Sequence, residues 1–234
     1  MNYFIEYGSS RINFNLVYAD RKTITIKVHP DNTVEVMSPK SSALELIKNK
    51  VKTKASWIIK QQDFFLTFHP LTPTRKYLSG ETHLYLGKQY RLKLIKSNDK
   101  LVKLKSGYIE IHTPDTKNNI KVEKMLKNWY KDKADTHFHR LFSKCIEETK
   151  IFKNKSPLLK YRWMSKRWGS CDNKGIIHLN TELIKANKQY IEYVIIHELC
   201  HLIHNNHSCN FYNLLEQHVP DWKNTKNKLE RLIV

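Results

Sequence analysis

The stretch Tyr190-Ile-Glu-Tyr-Val-Ile-Ile-His-Glu-Leu-Cys-His-Leu-Ile-His204 constrains the chain more than any other. Wound as a helix, it gathers Ile191, Ile195, Ile196, Leu199, Leu202 and Ile203 on the side opposite His197. Such a stripe is what an amphipathic helix turns towards a core, leaving its polar face for a cleft or solvent. Residues four apart lie about 40° apart around the axis and about 6 Å along it. His197 and His201 can therefore reach one ion from one face, with Glu198 about 100° from the first ring. Two histidines holding zinc and a glutamate handling protons is the chemistry of a helical H-E-x-x-H.

A catalytic zinc takes three protein ligands and keeps a fourth position for water. His204 and His207 are the nearby candidates. His204 shares the helical face, but seven residues from His197 is about 10.5 Å along the axis, too far for one ion on a straight helix. His207 follows Asn205-Asn206, residue types that admit left-handed backbone and end helices. A turn there can swing His207 back over the site, so the spacing favours His207 and keeps His204 as the alternative.

Length and composition set wider bounds. A chain of 234 residues with 40% hydrophobic content has the size for one or two globular domains. It contains no apolar run long enough to span a bilayer, and its first residues lack the pattern of a signal peptide. Cys145, Cys171, Cys200 and Cys209 show no C-x-x-C spacing, which argues against a cysteine zinc site. The expected setting is the cytoplasm, with reduced thiols and with Cys200 and Cys209 as small buried residues. The formal net charge of +19 favours contact with polyanions, nucleic acid above all. Lys117, Lys121, Lys124, Lys127 and Lys131 form a basic helical stripe, the usual role of which is a solvated face.

Along the chain, alternation predicts strands at Asn13–Val17, Lys22–Val28 and around Val34 and Val36, then one helix from Ser41 or Ser42 to about Phe65. Further strands are expected at Thr82–Leu86, Gln89–Ile95, Lys100–Leu104 and Tyr108–His112, with a domain boundary at Pro114 and Asp115. A long helix over 118–149 carries Val122, Leu126, Trp129, Tyr130, Phe138 and Leu141 inward. Strands at Leu159–Met164 and Gly175–Leu179 flank the polar-aromatic loop Ser165–Lys174. Asn180, Ser208 and Asp221 stand where helix caps are needed, and the helix that bears His197 and His201 is expected to begin near Asn187. No repeat is apparent.

Several of these segments together resemble the YgjP-like family of metal-dependent hydrolases, relatives of the SprT-like and WLM-type zinc peptidases. The matching residues are Arg162-x-Met164, Arg167-Trp-Gly-Ser-Cys171, Gly175-x-Ile177-x-Leu179-Asn180, His197-Glu-Leu-Cys-His-Leu202 and Asn206-His-Ser208, with Gly80-Glu-Thr-His-Leu-Tyr-Leu-Gly87 and the Trp57 helix further back. The resemblance implies His197, His201 and His207 as zinc ligands and Glu198 as the catalytic acid/base. It departs at Tyr212, where the family commonly has tryptophan. The expected fold is α+β: an N-terminal β-rich region with a helix over residues 1–115, then a mainly helical zincin-like domain with a small sheet over 116–234. The expected activity is zinc-dependent cleavage of peptide bonds in a peptide or protein substrate. Some SprT-like and WLM-type relatives act on proteins crosslinked to DNA, so DNA association is a further expectation.

The strand holding Ile177 is expected to offer its edge to an extended peptide. Arg167 and Trp168 are expected at the entrance, and Tyr190, Tyr193, Tyr212 or His218 as an oxyanion donor. Two other readings stay open: a nucleic-acid module in which zinc is structural, and a zinc hydrolase of non-peptide amides or esters.

Overall fold

A computed structural model describes residues 2–8, 10–29, 31–66, 75–149, 152, 156–165 and 167–231. The chain falls into two compact units, Met1–Pro73 and Thr74–Ile233.

In the first unit, β1 (Asn2–Tyr7), β2 (Ser10–Ala19), β3 (Thr25–Val28) and β4 (Val34–Pro39) form a sheet in the order β1-β2-β4-β3. Strand β2 buries Ile12, Phe14 and Leu16 and turns the intervening residues outward, the period-two pattern of a half-covered sheet. Helices α1 (Leu44–Thr53) and α2 (Ala55–Leu66) bring Ile47, Val51, Ala55 and Ile58 to the same core. The single helix expected here is broken at Lys54, whose N–H turns back to the carbonyl of Val51 in a tight three-residue bond. The expected serine cap is also absent: the helix starts from Ala43 without a side-chain bond. Strand β1 was not foreseen, because Ile5 is its one buried residue and leaves no alternation to read.

The second unit opens with a sheet of the same order, β5-β6-β8-β7, built from β5 (Thr82–Tyr85), β6 (Lys88–Lys96), β7 (Leu101–Lys105) and β8 (Tyr108–Thr113). The pairing senses also match: β2–β4 and β6–β8 are parallel, and the outer pairs antiparallel. The protein thus contains a topological repeat that its sequence does not show. Helix α3 (Asn119–Thr149) lays Val122, Leu126, Trp129, Tyr130, Phe138 and Leu141 into a core shared with Leu92, Ile109 and Ile111. This shared core is why the division lies at Pro73–Thr74 and not at the expected Pro114–Asp115. The hairpin between β5 and β6 is tied in as well: Leu86 and Gly87 donate to the carbonyls of Ile184 and Lys185.

The rest of the unit carries the site. Strands β9 (Leu158–Arg162), β10 (Gly169–Cys171) and β11 (Ile176–Asn180) form a second sheet ordered β10-β11-β9. A 3₁₀ turn, Thr181–Lys185, leads to α4 (Lys188–Cys200), followed by α5 (Cys209–His218) and α6 (Trp222–Glu230). The class is α+β, as expected. No helix among the described residues is long and apolar enough to cross a membrane.

Candidate metal centre

Asn187 caps α4 by accepting from the N–H of Gln189, and the stripe Ile191, Ile195, Ile196 and Leu199 is buried as its period requires. The helix ends at His201. The N–H groups of Leu202 and Ile203 close tight turns onto Leu199 and Cys200, that of His204 also reaches the Cys200 carbonyl, and the helical run stops before His204. The backbone then leads through His207 to Ser208, which caps α5 by accepting from Phe211 N–H.

This path converges three rings. Ligand atoms of His197, His201 and His207 all lie within 4.8 Å of one another, and Nε2 of His207 is 3.1 Å from Nε2 of His197. The ring centroids are separated by 5.1 Å for His197–His201, 5.1 Å for His197–His207 and 4.7 Å for His201–His207. Nitrogens about 2.0–2.1 Å from one tetrahedral zinc would lie about 3.3 Å apart, so the donor set fits such an ion. His201 Nδ1 lies 3.0 Å from the carbonyl of His204. A carbonyl only accepts, so Nδ1 carries the hydrogen and Nε2 is left with its lone pair. The backbone of His204, not its ring, thus serves the cluster.

Phe211 is the floor: it is fully buried, with its ring 5.0, 4.6 and 4.7 Å from the rings of His197, His201 and His207. Burial, followed by the neighbouring imidazoles, pulls the His197 pKa down to about 3; burial lowers His207 too. Both favour the neutral ring that a metal requires. His197 Nδ1 is buried with no hydrogen-bond partner among the described residues, so packing against Tyr193 and Phe211 holds this ring.

Glu198 is 6% exposed, and burial raises its carboxyl to about 7 against the opposing pull of the Arg167 charge and a hydrogen bond from Cys171 N–H. Strand β10 lies directly against it. A Cβ placed on Gly169 would stand 2.6 Å from Glu198 Oε1 and 2.8 Å from its Cγ, so only glycine leaves room for the carboxylate. The surrounding cleft, about 900 Å³, is lined by the three histidines, Glu198, Arg167, β10, Asp172, Leu202 and Asn205, among others.

Of the expected substrate residues, only Arg167 lines this cleft. Ile177 is fully buried in the core, because the odd-numbered residues of β11 face inward. Trp168 is half-buried against the same core, with its indole N–H buried and unpaired. The edge expected of β11 is already occupied on both sides, by β10 and β9; the outer edges belong to β10 and β9, and of these two strands β10 lines the cleft. Tyr190, Tyr193, Tyr212 and His218 do not line the cleft, although Tyr212 stacks on His207 at 6.0 Å. Cys209 is exposed, contrary to expectation, while Cys200 is buried. Phe211, Gly169 and the Cys171 N–H were not foreseen as site elements. Phe211 was findable as the residue whose amide Ser208 caps; the other two depend on β10 meeting α4.

The model of the YgjP-like metallopeptidase domain matches residues 22–232. The chain belongs to this family. Membership makes this YgjP-like chain a hydrolase of the metallopeptidase class and implies a metal ion, for which the histidine cluster offers ligands. No curated protein matches the chain. Among solved structures, the metallopeptidase zymogen jannalysin of Methanocaldococcus jannaschii is similar over 42% of this chain and 97% of its own, at 19% identity and a TM-score of 0.37.

Proposed function

We propose that this YgjP-like protein is a zinc-dependent peptidase in which His197, His201 and His207 hold the ion and Glu198 is the general base and acid. The observation that carries the reading is the convergence of three imidazoles beside a buried carboxyl. A set of three imidazole donors suits zinc. Zinc, when bound, supplies Lewis acidity that acidifies a water and polarises an amide carbonyl. His204 fixes the tautomer of His201 through its carbonyl. Glu198 takes a proton from the attacking water and returns it to the leaving nitrogen, the two transfers expected of one positioned carboxyl group. Gly169, Ser170 and Cys171 line the cleft on an outer edge of a sheet, and such an edge binds an extended peptide through main-chain bonds with little dependence on sequence.

The test is Glu198→Gln assayed on casein. Hydrolysis should fall by about 10²–10⁴-fold while zinc content and folding persist; undiminished cleavage removes Glu198 from the mechanism and with it this reading.

A nucleic-acid contact is supported separately by the net charge of +19 and by a groove of about 240 Å³ in the first unit. There, Lys50, Lys54 and the exposed ring of Trp57 stand over Ile24 and Ile26. Phosphates on the lysines and a base stacked on Trp57 are the expected contacts.

A further inference from the structure

Asn180 ends β11 and caps the 3₁₀ turn that follows. It is 4% exposed. Its Oδ1 accepts from the N–H groups of Met164 at 3.2 Å and Glu182 at 3.1 Å. Its Nδ2 donates to the carbonyls of Met164 at 2.8 Å and Arg167 at 3.0 Å. A primary amide offers two acceptor lone pairs and two donor hydrogens, so these four bonds exhaust it. The backbone N–H of Asn180 adds a fifth bond, to the carbonyl of Trp168 at 2.7 Å.

A cap explains only part of this pattern. Capping needs the one bond to Glu182 N–H, and serine, threonine or aspartate supplies it equally well. The two Nδ2 hydrogens do something else: they grip the backbone of Met164 and Arg167 on the path from β9 to β10. That path determines two features of the candidate active site. Arg167 lines the cleft close enough for its charge to act on Glu198. Gly169, two residues on, abuts the Glu198 carboxylate so closely that a methyl group could not be inserted.

We propose that Asn180 is a positioning residue of the catalytic site, holding Met164, Arg167 and Trp168 so that Arg167 and Gly169 meet Glu198 in one fixed arrangement. This rests on the metallopeptidase reading. Asn180 touches neither substrate nor metal. It acts through the backbone it clamps, and the requirement is specifically for an amide, because both faces of its hydrogen bonding are used.

Asn180→Asp and Asn180→Ser separate this from a simple cap. Aspartate keeps the bonds from Met164 and Glu182 N–H but turns an acceptor towards two carbonyls; serine keeps the cap without added charge and leaves the carbonyls unpaired. Both are compared with the wild type by kcat and KM on casein, by zinc per chain, and by amide exchange of the Met164–Trp168 segment against α4. The expected result is a kcat lowered by about 10- to 100-fold, the scale of small misplacements at a reacting centre. Bound zinc and α4 protection should be unchanged, and exchange at Met164–Trp168 faster. Combined with Arg167→Gln, the Asn180→Ser loss should be markedly less than additive, since both act on one element.

An Asn180→Ser protein with wild-type kcat, or with a loss that multiplies fully with that of Arg167→Gln, overturns the proposal. A zinc-loaded wild type that cleaves no protein substrate refutes the peptidase reading itself. Should Asn180→Asp fail to fold, the serine variant and its exchange pattern decide.

Discussion

The two four-stranded sheets share strand order and pairing sense, yet only one of them belongs to the unit that carries the histidine cluster and the buried Glu198. The first is covered by α1 and α2 and closes a small core of its own. The second shares its core with α3, the 3₁₀ turn, α4 and α5. The topology is therefore indifferent to function; what differs is the chain that follows. In the second unit that chain supplies a helix ending at His201, a turn returning His207, and a short strand against Glu198. In the first it supplies lysines and a tryptophan around a groove. If this contrast is right, damage to each unit should have separable consequences.

The largest separation should come from the cores. Phe211→Ala removes a buried aromatic that also floors the three imidazoles, and should cost about 3–5 kcal/mol together with a sharp loss of zinc affinity. Ile47→Ala, equally buried but in the first unit, should cost about 2–5 kcal/mol and leave zinc stoichiometry and peptidase activity intact. Denaturation curves with parallel metal analysis measure both; zinc loss in the Ile47 variant would erase the contrast.

The next effect is electrostatic. In metal-free protein Glu198 has its pKa raised from 4.5 to about 7. The folded state then holds a proton that the unfolded state releases, so stability from this group is full below pH 4.5 and lost as pH rises through 7. His197, lowered from 6.5 to about 3, acts oppositely: its contribution is present above pH 6.5 and lost as pH falls towards 3. Glu198→Gln removes the first dependence alone. Under chelation it should stabilise the protein more at pH 8 than at pH 5, by a difference on the order of 3 kcal/mol. Equal melting shifts at both values would mean that the carboxyl is not buried in solution.

The smallest effect belongs to the first unit. Trp57→Ala should weaken single-stranded DNA binding by about 1–3 kcal/mol without altering casein hydrolysis, and wild-type binding should fall steeply with salt. Titration across a salt series would sharpen the comparison; a flat response would remove the phosphate contribution.

How much was legible in the sequence follows from which interactions are local. Helix α4 with its start near Asn187, the His197–His201 pair and the cap at Ser208 depend on spacing within a few residues, and the sequence displays them. The return of His207 was readable from Asn205-Asn206, because helix ends have a residue signature. The pairing order of β9, β10 and β11 is non-local. Alternation shows that Ile177 and Leu179 share a face, but not which neighbours flank the strand or which face meets the core; Ile177 was accordingly placed at the substrate and lies in the interior. Gly169 reads as a turn residue until α4 is seen against it, and Asn180 reads as a cap until its second pair of bonds is seen. The repeated sheet leaves no sequence trace because an αβ topology can be specified by many patterns of apolar residues.

The proposed function requires that three imidazoles, from the end of α4 and the turn beyond it, share one divalent cation. Its most direct test is zinc content per chain for the purified wild type and for single alanine variants at His197, His201, His207 and His204. One zinc in the wild type, its loss in the first three and its retention in His204→Ala are predicted. A wild type that holds no stoichiometric metal, or a loss confined to His204→Ala, would contradict the account.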